Sequence, residues 1–381
     1  MAKVCVVSDF NFKGSGYLNI VVPLCKGLAE KGHEVKAVGL GYLGDEHNFP
    51  YSIIPCPSFQ DAHAMVNNLK YQWGADILIV ALDIPQQDGF RQLAQNLKLK
   101  MIAVTPLENP PLTMSWAFIL QQIDKVFFIS QLGTDEAQKA GVWTAEHLEV
   151  GMDTVSWRQR TDEEYKKGRA FFNIPEDTLV VLTVADNQER KNLSKSMEIV
   201  SKVKENGTKV KYILVTRENS GVGWKLRDLA LTYNIASELM IVERGIPFKE
   251  LYAMYAISDV FLLTSKAEGL GMPVMESMSV GVPVVATNCG AMPELLGEGR
   301  GFLINTEYSM IDCWGNSRRD FPSAFDGADI LLHLASDGKT ENKFHINKVT
   351  QAAREYMESR TWDIPATQVD KAIMELLDVK E

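Results

Sequence analysis

The chain has 381 residues, of which 46% are hydrophobic and 23% are charged, and its formal net charge is −10 at pH 7. This length favours two domains, and the acidic balance argues against nucleic acid or an anionic bilayer as the main partner. Five scattered cysteines without a CxxC pair argue against a zinc site and indicate a reduced, cytoplasmic protein. We expect no signal peptide, and no apolar run reaches the roughly 20 residues of a transmembrane helix.

Apolar strands alternate with amphipathic helices in the first part of the chain. A glycine loop (KGSG, 13–16) follows the first predicted strand and precedes a helix that Gly32 ends. The strand segments are apolar on both faces, as buried parallel strands are. The predicted strands cover 3–10, 34–40, 77–82, 101–105 and 126–130.

The same alternation restarts after a segment (151–165) that has the composition of a linker. Two such series predict two doubly wound α/β domains that face a central cleft, with ligands at the carboxyl ends of the strands. The second series has predicted strands at 179–185, 212–216, 240–243, 260–265 and 282–287, separated by helices around 192–205, 223–233, 248–257 and 273–280. The C-terminal helices are predicted at about 324–335, 342–358 and 364–378.

The stretch EGLGMPVME, from Glu268 to Glu276, is the most informative about function. A strand leads into its glycines, and Pro273 suits the start of a following helix, whose free N–H groups can bind an anion. Since a carboxylate repels a phosphate, the two glutamates are better suited to sugar hydroxyls. The pattern predicts a site for a sugar attached to a phosphate.

A second strand, loop and helix start (GVPVVATNCGAMPELL, 281–296) follows this stretch. The combined block resembles the signature of the family 4 retaining glycosyltransferases of GT-B fold, whose Glu-x7-Glu motif falls on Glu268 and Glu276. The helix after Arg360 is similar to the one that crosses back in GT-B enzymes. The resemblance implies an acceptor domain over 1–155, a donor domain over 156–360 and a C-terminal helix over 361–381 that packs back on the first domain.

This resemblance implies a hexosyltransferase that uses a nucleotide-diphosphate sugar with retention and needs no metal or other cofactor. Glu276 would bind the ribose hydroxyls, and Glu268 would face the donor hexose. Backbone amides would bracket the sugar and the diphosphate, namely those of Gly269, Leu270, Gly271 and Met272.

Arg190 and Lys191 are the predicted cations for the leaving diphosphate, because fixed positive charge stabilises the anion that forms as the glycosyl–phosphate bond breaks. Lys191 matches the phosphate lysine of the family. The usual arginine position is Asp186, a departure, since an aspartate there would repel the diphosphate. Arg190 is expected to supply the missing charge.

The first domain offers two further candidates. Gly16 ends the glycine loop and is expected to approach the donor. The loop after the fourth strand of that domain (105–116) lacks the histidine of many relatives, and Glu108 is put forward in its place. The acceptor stays open between a glycan, a lipid-linked molecule, a protein and a small molecule. The apolar side chains of 112–123 leave peripheral attachment to a membrane open.

Two other function classes compete with this interpretation. Asp186 and the absent histidine motivate a non-catalytic relative that binds a nucleotide sugar or a partner subunit. A nucleotide-sugar epimerase shares the two-domain architecture, although the Glu-x7-Glu block argues against it. A dehydrogenase is disfavoured, because the first strand lacks a full GxGxxG motif.

Overall fold

A computed structural model describes residues 1–12, 16–336 and 342–378. The chain divides into two compact units. The first comprises Met1–Gly151, Cys313–Ser317 and Arg360–Glu381, and the second comprises Met152–Asp312 and Arg318–Ser359. The division after Gly151 falls four residues before the boundary that was predicted after residue 155.

The first unit contains a seven-stranded parallel sheet in the order β3-β2-β1-β4-β5-β6-β7. Its strands are β1 (Lys3–Asp9), β2 (Glu34–Leu40), β3 (Ser52–Cys56), β4 (Ile77–Ala81), β5 (Lys100–Thr105), β6 (Lys125–Phe128) and β7 (Ala145–His147). Its helices are α1 (Leu18–Glu30), α2 (Phe59–Asn68) with a π-helical turn (Leu69–Trp73), α3 (Ile84–Leu97), α4 (Met114–Leu120) and α5 (Gln131–Lys139).

The second unit contains a six-stranded parallel sheet in the order β10-β9-β8-β11-β12-β13. The strands are β8 (Leu179–Val184), β9 (Val210–Thr216), β10 (Leu239–Glu243), β11 (Val260–Leu263), β12 (Val284–Thr287) and β13 (Phe302–Ile304). The helices are α6 (Asp162–Phe171), a 3-10 turn (Glu189–Lys191), α7 (Leu193–Glu205), α8 (Leu226–Thr232), α9 (Phe248–Ala256), α10 (Met272–Val280) and α11 (Met292–Leu296). An antiparallel hairpin of β14 (Thr306–Ile311) and β15 (Arg318–Pro322) precedes α12 (Ala324–Ser336) and α13 (Asn342–Ser359).

The prediction of two doubly wound parallel-sheet domains is confirmed. The central strands are buried along most of their length, and all five residues of β4 are buried. Apolar burial on both faces is what two covering layers of helix require, and it is why these strands were predictable from sequence.

The linker prediction over 151–165 is wrong in part, because α6 begins at Asp162. Thr161 caps this helix by accepting a hydrogen bond from the amide of Glu164, whose side chain in turn accepts from the Thr161 amide. This reciprocal pair satisfies two backbone donors at the helix start. This capping pair determines where the helix begins. The segment has too few apolar residues to show a helical period, so the helix was not predicted from its hydrophobic pattern.

The last helix, α14 (Asp363–Leu376), belongs to the first unit and packs against α1. A Cβ on Gly27 would lie 2.5 Å from Cβ of Ala366, so the two helix backbones approach closely there. The imidazole of His33 lies 2.7 Å from the Asp370 carboxylate. Since His33 Nδ1 accepts from the Ala2 amide, Nε2 carries the proton and donates to Asp370.

Within the described residues, no helix combines the length and the apolar character that crossing a membrane requires.

Candidate active site

Strand order in the second unit reverses at β8, which has β9 on one side and β11 on the other. Ligands of doubly wound sheets bind at the carboxyl edge of such a switch point. The loop after β8 carries Asp186 and Lys191, and the loop after β11 carries Glu268. The sheet therefore brings residues more than 70 positions apart in the chain to one edge.

The helix α10 begins at Met272, one residue before the predicted start at 273, with Pro273 in its second position. Gly271 is its N-cap at φ 93°, a left-handed conformation that favours glycine, and a Cβ there would lie 2.8 Å from Cε of Met292. No side chain of the described residues caps this helix. The loop before it (Gly269 and Leu270) is buried. A helix start of this kind offers backbone N–H groups and a positive dipole end.

Glu268 is 4% exposed and lies between the two predicted cations. Its Oε1 accepts a hydrogen bond from Lys191 Nζ at 2.6 Å, and its Oε2 is 3.4 Å from Arg190 Nη1. Burial raises the pKa of this carboxyl, but the charges of Lys191 and Arg190 outweigh burial and lower it to about 2. Glu268 is therefore ionised at neutral pH.

Backbone hydrogen bonds fix this cluster in place. Arg190 Nη1 donates to the carbonyl of Ala267 at 2.7 Å, and the carbonyl of Arg190 accepts from the amide of Lys266 at 2.9 Å. The carbonyl of Glu268 accepts from the amide of Ala291 at 2.9 Å. The three loops after β8, β11 and β12 are thereby joined through their main chains, which limits how far the charged groups can move.

Glu276 is 5% exposed and has the opposite electrostatic setting. Its Oε2 accepts a hydrogen bond from the hydroxyl of buried Tyr255 at 2.7 Å. Burial raises the pKa of Glu276 to about 7, although the Tyr255 hydrogen bond and the charge of Arg244 both favour the carboxylate. Glu276 therefore takes up a proton far more readily than Glu268 does.

Asp186 is paired, and this changes the expected consequence of its negative charge. Its carboxylate accepts from Arg217 Nε at 2.8 Å and also from Arg217 Nη2, and Arg244 Nη1 lies 3.2 Å away. Burial raises the pKa of Asp186, but the hydrogen bond from Arg217 and the charge of Arg244 outweigh burial and lower it. Arg217 and Arg244 therefore compensate the negative charge of Asp186. From the sequence, only Arg190 was expected to make up for it.

The candidates of the first domain lie in the first unit. Gly16 is exposed, one residue before Tyr17, which begins the first turn of α1; Gly14 and Ser15 of the same loop lie outside the described residues. The hydroxyl of Tyr17 donates to Asp83 at 2.7 Å, which ties the start of α1 to the start of α3. Glu108 is half-buried on the loop between β5 and α4, and it lines the same small cavity as Trp116. Their roles stay predictions.

Sequence reasoning missed several charged or polar residues of this edge. Arg217 and Arg244 each follow directly on a predicted strand, so a search for polar residues at strand ends would have found them. Lys266 is 5% exposed, pairs with Glu189 and stands 4.5 Å from the ring centre of Phe321. Tyr255 gave no signal, because a tyrosine in an amphipathic helix is ordinarily a core residue.

Residues 164–312 match the family model described as glycosyl transferases group 1. The sulfoquinovosyl transferase SQD2 of Arabidopsis thaliana is 24% identical over 388 residues, which cover 93% of this chain and 69% of that protein. Among solved structures, sucrose-phosphate synthase from Thermosynechococcus elongatus superimposes with a TM-score of 0.78 at 16% identity, covering 100% of both chains. HepE from Anabaena, in complex with UDP and glucose, has a TM-score of 0.72 at 13% identity and covers 98% of this chain and 100% of that one.

By enzyme class the chain is a glycosyltransferase. Its two sheets have the GT-B fold. The matched range lies inside the second unit and contains both Glu268 and Glu276. The Glu-x7-Glu assignment and the individual residue roles stay predictions.

Proposed function

We propose that this glycosyltransferase moves a hexose from a nucleotide-diphosphate sugar to an acceptor hydroxyl, with retention of the anomeric configuration. The observation that carries the proposal is the convergence of Lys191 and Arg190 on Glu268, beside the start of α10. Half-buried cations next to a helix N-terminus suit a diphosphate, and a buried carboxylate suits sugar hydroxyls. The UDP and glucose that HepE holds support a donor of this class.

The two glutamates divide the donor between them. Glu276 binds the ribose, because an ionised carboxylate accepts hydrogen bonds from two neighbouring hydroxyls. Glu268 faces the hexose. The amides of the helix start, from Gly269 to Met272, bracket the sugar and the diphosphate.

Glu268 also offsets part of the positive charge of the two cations before the donor arrives. Lys191 donates to Glu268 at 2.6 Å and Arg190 lies 3.4 Å from it, so these three side chains keep a net positive charge that suits an incoming diphosphate. The incoming diphosphate gives Lys191 and Arg190 a second anionic partner, and Glu268 can then accept from the hexose hydroxyls. This arrangement gives the two half-buried cations an anionic partner in the free protein.

The reaction breaks the bond between the anomeric carbon and the diphosphate oxygen. The acceptor hydroxyl attacks from the face that the diphosphate leaves, and its proton ends on the departing phosphate. Negative charge grows on the diphosphate in this step, and Lys191, Arg190 and the helix amides stabilise it. The proposal requires no metal ion.

Lys191→Ala and Glu276→Ala test these roles against a matched control, Lys195→Ala, which removes a lysine that pairs with Glu198 on α7. We expect Lys191→Ala to lower kcat about a hundredfold or more, the cost of removing one transition-state donor. Glu276→Ala should mainly raise the donor KM. Donor hydrolysis with UDP-, GDP- and ADP-hexoses reads out both effects. Donor kinetics like those of the unmutated protein in both variants would contradict the assignment.

Product analysis distinguishes the remaining function classes. Proton NMR of the transferred sugar shows whether the anomeric configuration is kept. Interconversion of the donor sugar with no acceptor present would indicate an epimerase instead. Binding of a nucleotide sugar without any turnover would indicate a non-catalytic relative. The charge of Asp186 was one reason for that alternative, and its pairing with Arg217 and Arg244 weakens that reason.

A further inference from the structure

Three charged side chains meet where β8, β9 and β10 end. Asp186 follows β8 by two residues, and Arg217 and Arg244 directly follow β9 and β10. These strands are neighbours and parallel, so their carboxyl ends lie at the same edge of the sheet. Rigid strands therefore place the cluster, which we name the Asp186 cluster (Asp186, Arg217 and Arg244).

Asp186 contacts both arginines. It is 8% exposed, and Arg217 binds it through a two-pronged contact from Nε and Nη2. Arg244 Nη1 lies 3.2 Å from the same carboxylate. A forked guanidinium–carboxylate contact fixes the plane of the guanidinium as well as its position. One buried carboxylate thus fixes the orientation of Arg217 and pairs with Arg244 at the sheet edge.

Arg217 keeps capacity for another anion. The Arg217 side chain is 54% exposed, and among the residues that the structure describes its Nη1 makes no hydrogen bond. The carboxylate of Glu243 adds a second negative charge near Arg217, so the cluster does not act by excess positive charge. Its value to a ligand lies in N–H donors that are already held in place.

The position of the cluster links it to the donor residues. Asp186 and Lys191 share one loop, which the 3-10 turn (Glu189–Lys191) closes. The charge of Arg244 also reaches Glu276, the residue that we assign to the ribose. The Asp186 cluster is therefore within electrostatic range of the proposed nucleotide carboxylate and in the same loop as the proposed phosphate lysine.

We propose that Arg217 and Arg244 bind the diphosphate of the nucleotide donor, with Asp186 as the positioning residue that holds them. The inference rests on the proposed function and adds two residues to it. It also explains why an aspartate is compatible with this site. Asp186 holds two arginines from the neighbouring strands, and these take the place of the arginine that relatives carry at position 186.

Asp186→Asn gives opposite results under the two interpretations of this residue. If Asp186 only repels the diphosphate, removal of its charge tightens binding. If it positions the arginines, the near-isosteric amide frees them to move and weakens binding. Isothermal titration with UDP, GDP and ADP, and with inorganic pyrophosphate, measures the direction directly.

Arg217→Gln and Arg244→Gln should each weaken binding of the preferred nucleoside diphosphate and of pyrophosphate about ten- to a hundredfold, as expected for a lost hydrogen bond to a charged group. The same variants should leave affinity for the free nucleoside unchanged. Arg227→Gln is the control, because Arg227 is an exposed arginine of the same unit that pairs with Glu218. It removes the same charge and should have no effect on either ligand.

The outcomes separate the two proposals. If the unmutated protein binds and turns over a nucleotide sugar but the Asp186 cluster variants bind diphosphate as tightly as it does, the inference fails and the proposed function stands. If these variants only lower the melting temperature, the cluster is structural and the inference again fails. If the unmutated protein binds none of the three nucleoside diphosphates, both proposals fall.

Discussion

Tyr255→Phe removes a single hydroxyl whose effect on donor binding can be worked out from the structure. That hydroxyl donates to Glu276 at 2.7 Å, and both residues are buried. A hydrogen bond to a charged group is worth about 1.5–3 kcal/mol, which corresponds to a pKa change of about one to two units. Since the bond favours the carboxylate, its loss raises the pKa of Glu276 from about 7 to about 8–9.

The ionised fraction of Glu276 follows from this shift. At pH 7.5 it falls from about three quarters to between about a quarter and a few per cent, so the donor KM rises about 3- to 25-fold. At pH 9.5 the ionised fraction is high in both proteins, and the KM values should agree within about 1.5-fold. Donor KM measured from pH 6 to 9.5 therefore shows one midpoint that moves to higher pH in the variant.

The control for this experiment is Tyr212→Phe. Tyr212 is also fully buried, but its hydroxyl pairs with Ser196 and does not contact Glu276. It should leave the pH midpoint where it was. A KM increase in Tyr255→Phe that is the same at every pH would contradict this prediction, because it would show a packing defect and not a shifted ionisation of Glu276.

Two further predictions concern stability. Gly271→Ala should lower the free energy of unfolding by more than Gly207→Ala in urea titrations, because both glycines have positive φ but only the new Cβ at 271 meets Met292; equal losses would show that the contact relaxes freely. Glu268 has a pKa of about 2 in the folded protein against an ordinary value of 4.5, so its ionisation contributes stability above pH 4.5 that is lost as pH falls towards 2. The unfolding free energy of the unmutated protein should therefore fall by roughly 3 kcal/mol more between pH 5 and pH 2 than that of Glu268→Gln. If both proteins lose the same stability over this pH range, Lys191 does not stabilise the charged form of Glu268.

Local patterns were enough to predict most of the elements. Strands such as β4 are continuous apolar runs, and a glycine marks the start of α10. Both signals lie in adjacent residues, and the structure places both elements within a residue or two of the prediction. The edge strand β3 was missed, because Pro55 interrupts its pattern and only its pairing with β2 makes it a strand. The hairpin of β14 and β15 was missed for a related reason, since all six residues of β14 are exposed and show no burial alternation.

Long-range pairing was the part that sequence patterns could not supply. Lys191 and Glu268 were each singled out, but their contact depends on β8 and β11 being neighbours in the sheet. Asp186 was interpreted as an unfavourable charge, because nothing near it in the sequence shows that Arg217 and Arg244 end the two adjacent strands. Strand order is set by the packing of the whole unit, so these partners appear only once the sheet is assembled.

Glu268 and Glu276 illustrate which properties of a site can be predicted from local sequence and which depend on the folded protein. That two carboxylates flank a glycine loop at a helix start could be predicted from neighbouring residues, because loop and helix signals are local. Their charge states depend on partners that the folded chain brings together. Both are buried, but Glu268 lies against Lys191 and is ionised with a pKa of about 2, whereas the hydroxyl of Tyr255 is too weak a partner to offset burial, and Glu276 titrates near pH 7.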